Sequence, residues 1–380
     1  MYDAVLRVEL LEGVEEAGFA DDIGVIVTAR TIAILQTKTN EALRRIRKSL
    51  LDHHLELAAH KTEAVMLVGR RRAYQPPSIY VGNSAVTLSK SVRYLGVFFE
   101  SSLEFKDHIR RSAEKTAATV TALSRIMPNL GGPKQERRKL LANVVLSQML
   151  YGAEVWAPTL QKRQRYRDML GSITRRAALR VICGYRTVSA DAAEVLAGIP
   201  PIDLLAAERR QRRMLLQDGS TPMEAKEEAR ATLMAAWQQR WSNSTKGRWT
   251  WKLIPDIGTW TSRRHGQASF RLTQCLTGHG CFSAFLKKIG KEQTERCPLC
   301  GDCKDDAEHA VFHCAAYAME RWGLGCKHNI KWTPGPELLS AMLATKKCWQ
   351  DVDDFLQKMM KRREELERDR RQSAPPASLP

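Results

Sequence analysis

The chain has 380 residues, with 60 Lys and Arg against 42 Asp and Glu, so its formal net charge at pH 7 is +18 and its pI is near 9.7. This excess favours a polyanionic partner, above all nucleic acid, over an ordinary solvated basic surface. No apolar run is long enough to span a membrane, and the first residues lack the zones of a signal peptide. Nine cysteines, mostly scattered singly, favour a reduced intracellular protein with one local metal site over a disulfide framework.

Residues 1–100 have a mixed α/β pattern. Apolar residues recur at helical spacing and predict a helix over 31–53. The segments that read as strands are, in chain order, Ile23–Val27, Ala64–Val68, Ile79–Val81 and Val92–Phe99. The expected packing is therefore of helices against a sheet.

Residues 101–215 are predicted to be mainly helical. The helical segments are 104–127, 134–151, the basic segment 160–184, and 206–217. The basic segment has few acids and holds six arginines, namely Arg163, Arg165, Arg167, Arg175, Arg176 and Arg180. These arginines form either a solvated helix face or a surface that faces phosphates, and the pattern leaves both interpretations open.

Residues 216–290 are predicted to be a connector rich in tryptophan. Its indole side chains lie among Arg and Lys, at Trp237, Trp241, Trp249, Trp251 and Trp260. Aromatic residues interleaved with basic ones can stack on bases, but tryptophan clusters are more often the core of a small domain, and that is the favoured interpretation. The C-terminal residues RREELERDRRQSAPPASLP predict a charged helix end followed by disordered residues.

A metal site is predicted from CPLCGDCKDDAEHAVFHC, which supplies Cys297, Cys300, His309 and Cys314. Two thiolates on a tight turn form half of a tetrahedral site, and a His and a Cys about one helical turn apart form the other half. Four protein ligands suit structural Zn²⁺, because no position is left for a substrate. Cys303 and His313 are alternative ligands, and chance clustering is the competing explanation. A single zinc knuckle does not identify a reaction.

Two adjacent carboxylates, Asp21 and Asp22, precede the first predicted strand, although aspartate is unfavourable in strands and costly to bury. They are exposed turn residues, caps of the next element, or ligands of a divalent cation. A helix cap is disfavoured because a strand follows. Composition alone favours the turn. A cation would make the adjacent charges tolerable next to a substrate phosphate.

The order of motifs resembles the reverse transcriptases of non-LTR retrotransposons. Phe19–Asp22 is similar to the F/Y-x-D-D box of the polymerase palm, and Leu55–Glu63 looks like the next palm motif, with Lys61 before Thr-Glu. Val92–Val97 resembles the Tyr-Leu-Gly strand that supports the primer end. With LTGHGCF at Leu276–Phe282 and the C-terminal zinc knuckle, the resemblance covers nearly the whole chain. It is specifically to Pol proteins of insect type-1 elements that insert into ribosomal DNA.

The resemblance implies an α+β fold. Residues 1–100 would be the C-terminal part of a palm, a β-hairpin plus a helix on an antiparallel sheet. The expected parts that follow are a helical thumb (101–215), the connector (216–290), a CCHC zinc knuckle (291–330), and a C-terminal helix with a disordered tail (331–380).

The resemblance also implies an activity, RNA-directed DNA polymerisation at a nicked target, in a parent polyprotein that is also an endonuclease. Asp21 and Asp22 would bind Mg²⁺, and Lys61 would stabilise charge at the leaving pyrophosphate or act as an acid there, unless it is an ordinary surface lysine. The partners would be an RNA template and a DNA primer or target, in the nucleus, with no membrane.

The family's fingers, nucleotide-binding residues, other palm aspartate and endonuclease lie before this box, and eighteen residues precede Phe19 here. We therefore expect these 380 residues to be a C-terminal portion that is inactive alone and meets dNTP only together with the upstream part. Two alternatives remain. One is a non-catalytic nucleic-acid-binding protein that uses the thumb and knuckle, and the other is a zinc-stabilised scaffold that binds protein.

Overall fold

A computed structural model describes residues 5–67, 75–302 and 304–373 of the chain. The predictions made for Val68, Cys303 and the tail beyond residue 373 therefore lie outside the described residues. The chain divides into two compact units, 1–111 and 112–380. Within the described ranges, no helix has the length and apolar character needed to cross a membrane.

The first unit combines one long helix with short strands. Its elements are β1 (Val14–Phe19), β2 (Asp22–Val27), α1 (Ile32–Asp52), a 3₁₀ turn (Ala59–Lys61), β3 (Ala64–Val65), β4 (Ile79–Val81), β5 (Ser84–Val86), β6 (Leu88–Ser89), β7 (Ser91–Tyr94) and β8 (Val97–Glu100). The pairs β1–β2, β4–β5 and β7–β8 are antiparallel, and β3–β6 is parallel. The mixed α/β character is confirmed. The described strands, however, form four two-stranded sheets and not one antiparallel sheet.

Helix α1 organises this unit. The Thr31 hydroxyl caps it by accepting the N–H of Ile34 at 3.3 Å. One face packs Ile46 and Leu50 against the β1–β2 hairpin, through a cluster that includes Ile23 and Val25. A second cluster lies under β4 and β5, where Ile79, Val81 and Val86 are buried. The predicted helix over 31–53 is thus confirmed.

The Asn40 side chain ties α1 to strand β4. Its amide N–H donates to the carbonyl of Ser78 at 3.0 Å, and its carbonyl accepts the N–H of Tyr80 at 2.9 Å. The side chain therefore makes the two hydrogen bonds that a neighbouring strand would make, which stabilises the edge of this short ribbon.

The prediction of a single strand over Val92–Phe99 was wrong, because the segment is a hairpin. Tyr94 pairs with Val97, and the two residues between them have positive φ, 46° at Leu95 and 81° at Gly96. Positive φ at both central positions defines the tight turn whose twist matches that of paired strands. Glycine adopts this conformation without steric cost, so Gly96 lets the chain reverse.

The second unit is almost entirely helical. Its elements are α2 (Lys106–Arg125, beginning in the first unit), α3 (Gln135–Met149), α4 (Ala153–Lys162), α5 (Gln164–Val181), α6 (Ala190–Ala197), α7 (Ile202–Gln217), α8 (Pro222–Asn243), α9 (Arg248–Leu253), α10 (Ile257–Thr261), α11 (Phe270–Thr277), α12 (Ser283–Lys288), a π-helical turn (His309–His313), a 3₁₀ turn (Ala315–Tyr317), α13 (Ala318–His328), α14 (Glu337–Ala344) and α15 (Lys346–Ser373).

The basic segment 160–184 was predicted as one helical segment, but it contains the end of α4 and all of α5. The chain is extended at Arg163, with φ −129° and ψ 98°. The Arg167 guanidinium donates to the carbonyls of Leu160 at 2.9 Å and Gln161 at 2.8 Å. These bonds satisfy carbonyls at the end of α4 that have no partner within the helix, and so stabilise the break.

The favoured interpretation of the tryptophans as core is confirmed for three of the five. Trp237, Trp241 and Trp260 are each at most 2% exposed, and the Trp241 indole donates to the carbonyl of Ile254 at 2.8 Å. Trp249 and Trp251 are half-buried. The Arg248 guanidinium lies 3.9 Å from the ring centroid of Trp251, in cation–π geometry.

Candidate functional site

The β1–β2 hairpin carries the two adjacent carboxylates at its turn. Phe19 pairs with Asp22, so Ala20 and Asp21 form the connection between the strands. Ala20 has φ 54°, in the left-handed region that a tight two-residue connection requires. Asp21 and Asp22 are exposed, and Phe19 beside them is 65% exposed. Because they are exposed, these turn carboxylates are accessible to a divalent cation.

Tyr94 supports this hairpin from the Tyr-Leu-Gly segment. Its hydroxyl donates to the carbonyl of Ala17 at 3.1 Å, and its ring lies against Gly24. A methyl group at Gly24 would come within 3.0 Å of the Tyr94 ring, closer than ordinary van der Waals contact. Gly24 was not among the predicted site residues, although a glycine inside a strand is the signal of such a close approach.

Glu16 is a further carboxylate of this hairpin that was not predicted from the sequence. Its two side-chain oxygens are buried without a hydrogen-bond partner, and burial raises the pKa of the carboxyl. Side chains alternate along a strand, so Glu16 lies on the opposite face from Phe19 and its partner Asp22. It therefore does not complete a site with the turn carboxylates.

Lys61 is the last residue of the 3₁₀ turn, and its side chain is exposed. Within the described part of the chain, Lys61 forms no salt bridge with a carboxylate. No third metal-ligating side chain clusters with Asp21 and Asp22 among the described residues. The hairpin thus offers two carboxylates for a divalent cation, and the catalytic roles of Asp21, Asp22 and Lys61 stay predictions.

The four predicted zinc ligands come together in the second unit. One donor atom from each of Cys297, Cys300, His309 and Cys314 lies within 4.8 Å of the others. The Cys297 and Cys314 sulfurs are 3.8 Å apart, and Cys300 Sγ lies 3.3 Å from His309 Nε2. Zn–S bonds of about 2.3 Å would hold two sulfurs about 3.8 Å apart in a tetrahedron, so this group fits Zn²⁺. His313 is exposed and does not belong to the group.

Backbone geometry and hydrogen bonds around the four candidate ligands favour metal binding. The N–H of Gly301 donates to the carbonyl of Cys297 at 2.9 Å, and Gly301 has φ 80°, so the chain turns tightly between the ligands. The hydrogen bond between the Cys314 and Cys297 thiols lowers the pKa of Cys297, and backbone N–H groups add to the effect. The geometry therefore favours a thiolate, the form that binds metal.

A second layer of contacts orients the ligands. Asp302 Oδ2 lies 3.3 Å from His309 Nδ1, so its carboxylate directs Nε2 towards the other three donors. The Arg321 guanidinium donates to the carbonyl of Cys314 at 2.7 Å. These residues were not predicted, since only the folded loop brings them to the ligands.

A buried ion pair joins the knuckle to α15. The Arg363 guanidinium donates to the Asp305 carboxylate, and their side chains are 2% and 1% exposed. Asp305 also accepts the N–H of Ser283 at 2.8 Å, and Arg363 donates to the carbonyl of Cys281 at 3.0 Å. The knuckle is thus connected both to α12 and to the C-terminal helix.

The structure divides the six arginines of the basic segment. Arg167 and Arg175 direct their guanidinium groups to backbone carbonyls of the protein. Arg163, Arg165 and Arg176 are exposed, and Arg176 donates to the Thr121 hydroxyl at 2.8 Å. The proposed phosphate-facing surface is therefore smaller than the sequence suggested, because arginine also satisfies carbonyls at helix ends.

Comparison with known proteins gives a consistent set of relatives. The chain is 28% identical over 388 residues to the retrovirus-related Pol polyprotein from type-1 retrotransposable element R1 of Bradysia coprophila, over 95% of this chain and 38% of that protein. It is 28% identical to the Pol polyprotein from element R1 2 of Nasonia vitripennis, over 81% of this chain and 80% of that protein. No protein-family model and no solved structure matches the chain.

A third relative is the putative 115 kDa protein in type-1 retrotransposable element R1DM of Drosophila melanogaster, 29% identical over 80% of this chain and 31% of that protein. The chain thus spans about a third of the length of two of these relatives. The resemblance to type-1 retrotransposon Pol proteins, inferred from the motifs, is confirmed over most of the chain.

Proposed function

We propose that this chain, a relative of the R1 Pol polyproteins, is the C-terminal portion of an RNA-directed DNA polymerase that copies RNA at a nicked chromosomal target. One observation carries the proposal. The Phe-Ala-Asp-Asp sequence forms a hairpin turn with both carboxylates exposed, in a chain similar to the Bradysia R1 Pol polyprotein over 95% of its length. Reverse transcription at a chromosomal DNA target would take place in the nucleus, and the parent polyprotein would also carry the endonuclease.

In this proposal, Asp21 and Asp22 would hold Mg²⁺. When bound, the metal would stabilise negative charge on the attacking and leaving oxygens of a phosphoryl transfer. Lys61 would supply positive charge near the pyrophosphate. Tyr94 would position the turn, since its hydroxyl and ring contact β1 and β2.

The 380 residues would not extend a primer by themselves. Two-metal catalysis needs carboxylates from more than one segment, and no third one clusters with Asp21 and Asp22 among the described residues. The helical second unit would contribute binding of template and primer, and dNTP would be bound together with upstream segments of the polyprotein. The knuckle would hold Zn²⁺ as a structural ion, because its four ligands leave no position open for a substrate.

A chimeric polymerase tests the catalytic role. The segment of the Bradysia Pol polyprotein that aligns with this chain is replaced by it, and primer extension on an RNA template is measured. We expect extension by the chimera and a loss of at least 100-fold on Asp21→Asn. The control Asp52→Asn removes the same charge from the exposed end of α1 and should leave the rate unchanged. Full activity of the Asp21→Asn chimera would refute the assignment.

A non-catalytic nucleic-acid-binding protein is the second candidate, and the net charge of +18 favours it. If this candidate is correct, the chain alone binds RNA or DNA with a strong salt dependence, and the same result is expected for the polymerase proposal. Primer extension by the chimera distinguishes the polymerase from the non-catalytic binding protein. An inactive chimera with intact nucleic-acid binding supports the second candidate, and absence of binding at low salt contradicts both.

A further inference from the structure

A cavity of about 630 Å³ lies within the second unit and has no role in the proposal above. It is bordered by the C-terminal half of α5, the start of α6, the turn before α9, the residues after α11 and the end of α12. Charged and polar side chains that line the cavity include those of Arg175, Thr187, Asp191, Lys246, His279 and Lys288. This volume falls in the range of about 300–1,000 Å³ that is typical of small-ligand sites.

The cavity has a positive charge that the protein does not neutralise. Arg175, Lys246 and Lys288 face one carboxylate, that of Asp191, which leaves an excess of two positive charges. None of these three cations forms a salt bridge with a carboxylate in the ranges that the structure describes. Like charges held in one concave space favour an anionic ligand.

His279 does not add to this charge. Burial, together with the charge of Lys288, lowers the pKa of His279 to about 4, so its imidazole is neutral at pH 7. Its Nδ1 lies 2.8 Å from the Thr187 hydroxyl, and its ring is 4.7 Å from that of Phe285. A neutral ring supported by a second aromatic ring offers a surface on which a base can stack.

Two residues hold the wall in shape. The Arg175 guanidinium donates to the carbonyl of Val188 at 3.1 Å, which positions its charge at the start of α6. Gly247 has φ 65°, and a Cβ there would lie 3.0 Å from both Ser189 Oγ and Ala192 Cβ. A larger residue at Gly247 would therefore push the turn carrying Lys246 away from α6.

We propose that this cavity binds an unpaired nucleotide of an RNA or DNA strand, with its phosphate near Lys246 and Lys288 and its base near His279. The guanidinium of Arg175 donates to backbone carbonyls and adds its positive charge to the cavity. The inference rests on the proposed function for its nucleic-acid partner. A concave site with one stacking ring suits a single splayed nucleotide, whereas duplex phosphates are contacted from an open surface.

The test measures fluorescence anisotropy of a labelled single-stranded oligonucleotide with the whole chain at several salt concentrations. Lys246→Gln with Lys288→Gln should weaken binding about tenfold and reduce the salt slope by about 1.4, because each charge contributes about 0.7 for a single strand. The control Lys226→Gln with Lys358→Gln removes two exposed lysines outside the cavity and should change both quantities less. Asp191→Asn should strengthen binding, and thermal unfolding verifies that every variant is folded.

Further binding measurements distinguish a nucleotide in the cavity from other modes of nucleic-acid binding. A duplex of the same sequence should lose less affinity than the single strand in the cavity variant, and His279→Ala should weaken single-strand binding. Equal losses in the cavity and control variants, or displacement of the strand by millimolar inorganic phosphate, would overturn the nucleotide assignment and leave the proposed function intact. Absence of strand binding by the unaltered chain would overturn both.

Discussion

Replacing Arg363 by methionine should destabilise the second unit by about 3–5 kcal/mol, the cost of leaving one partner of a buried ion pair alone. The Arg363 and Asp305 side chains are 2% and 1% exposed, so water cannot replace the lost partner. Among the residues that the structure describes, the Asp305 carboxylate would keep one hydrogen bond, from the N–H of Ser283 at 2.8 Å. The carbonyl of Cys281 would also lose its donor.

The helix that carries Arg363 supplies a matched control. Arg370 lies on α15 and pairs with Glu292 at 3.1 Å, but their side chains are 38% and 22% exposed. Exposed pairs contribute about 0–1 kcal/mol, so Arg370→Met should have a small effect. The double variant Arg363→Met with Asp305→Asn should regain part of the lost stability, because the unpaired charge is removed with its partner.

Thermal unfolding of the zinc-loaded chain, followed by tryptophan fluorescence, measures this difference. At about 2–4 °C for each kcal/mol, Arg363→Met should lower Tm by roughly 6–20 °C, and Arg370→Met by less than about 4 °C. Equal Tm values for the two variants would refute the reasoning, because burial would then make no difference to the pair.

Three further outcomes are expected. Zinc content should be one ion per chain by atomic spectroscopy and should be lost on Cys300→Ser, whereas a metal-free purified protein would contradict the site. Glu194 is 5% exposed, and burial raises its pKa to about 8, so the folded state keeps a proton that the unfolded state loses near pH 4.5. The free energy of unfolding should therefore fall as pH rises from 4.5 to 8, and Glu194→Gln should remove that fall. In denaturant titrations the variant should be more stable than the unaltered chain by about 3 kcal/mol at pH 7 and equally stable below pH 4. Parallel pH profiles of the two proteins would contradict this role of Glu194. Gly24→Ala should destabilise the first unit by about 1–3 kcal/mol through contact with the Tyr94 ring, and Gly24→Ala combined with Tyr94→Ala should cost less than the sum of the two single changes.

The local features of the site could be predicted from the sequence because they depend on spacing along the backbone. Helix α1 was predicted over 31–53 and runs from Ile32 to Asp52, since its apolar residues repeat at the helical period. The zinc ligands were predicted from the short intervals between Cys297, Cys300, His309 and Cys314, and their donor atoms cluster. The turn that composition favours at Asp21 and Asp22 is present between β1 and β2.

Side-chain roles that depend on distant partners could not be predicted in this way. The pattern of arginines in the basic segment does not show that Arg167 donates to carbonyls at the end of α4. Arg138, at 1% exposure, likewise donates to the carbonyl of Arg180 at 3.0 Å, where sequence alone suggests a surface residue. Arginine is compatible with solvent, phosphate or a carbonyl, and only its packed surroundings select one.

By itself, the sequence determined the charge of the protein, its helical periodicity, the set of candidate metal ligands and the resemblance to retrotransposon Pol proteins. Each of these depends on composition or on residues close together in the chain. Tertiary structure alone decided that Asp305 meets Arg363, that Tyr94 contacts Gly24, and that three cations distant in sequence line one cavity. Such contacts depend on how whole elements pack, because burial and close approach select partners that no local spacing specifies.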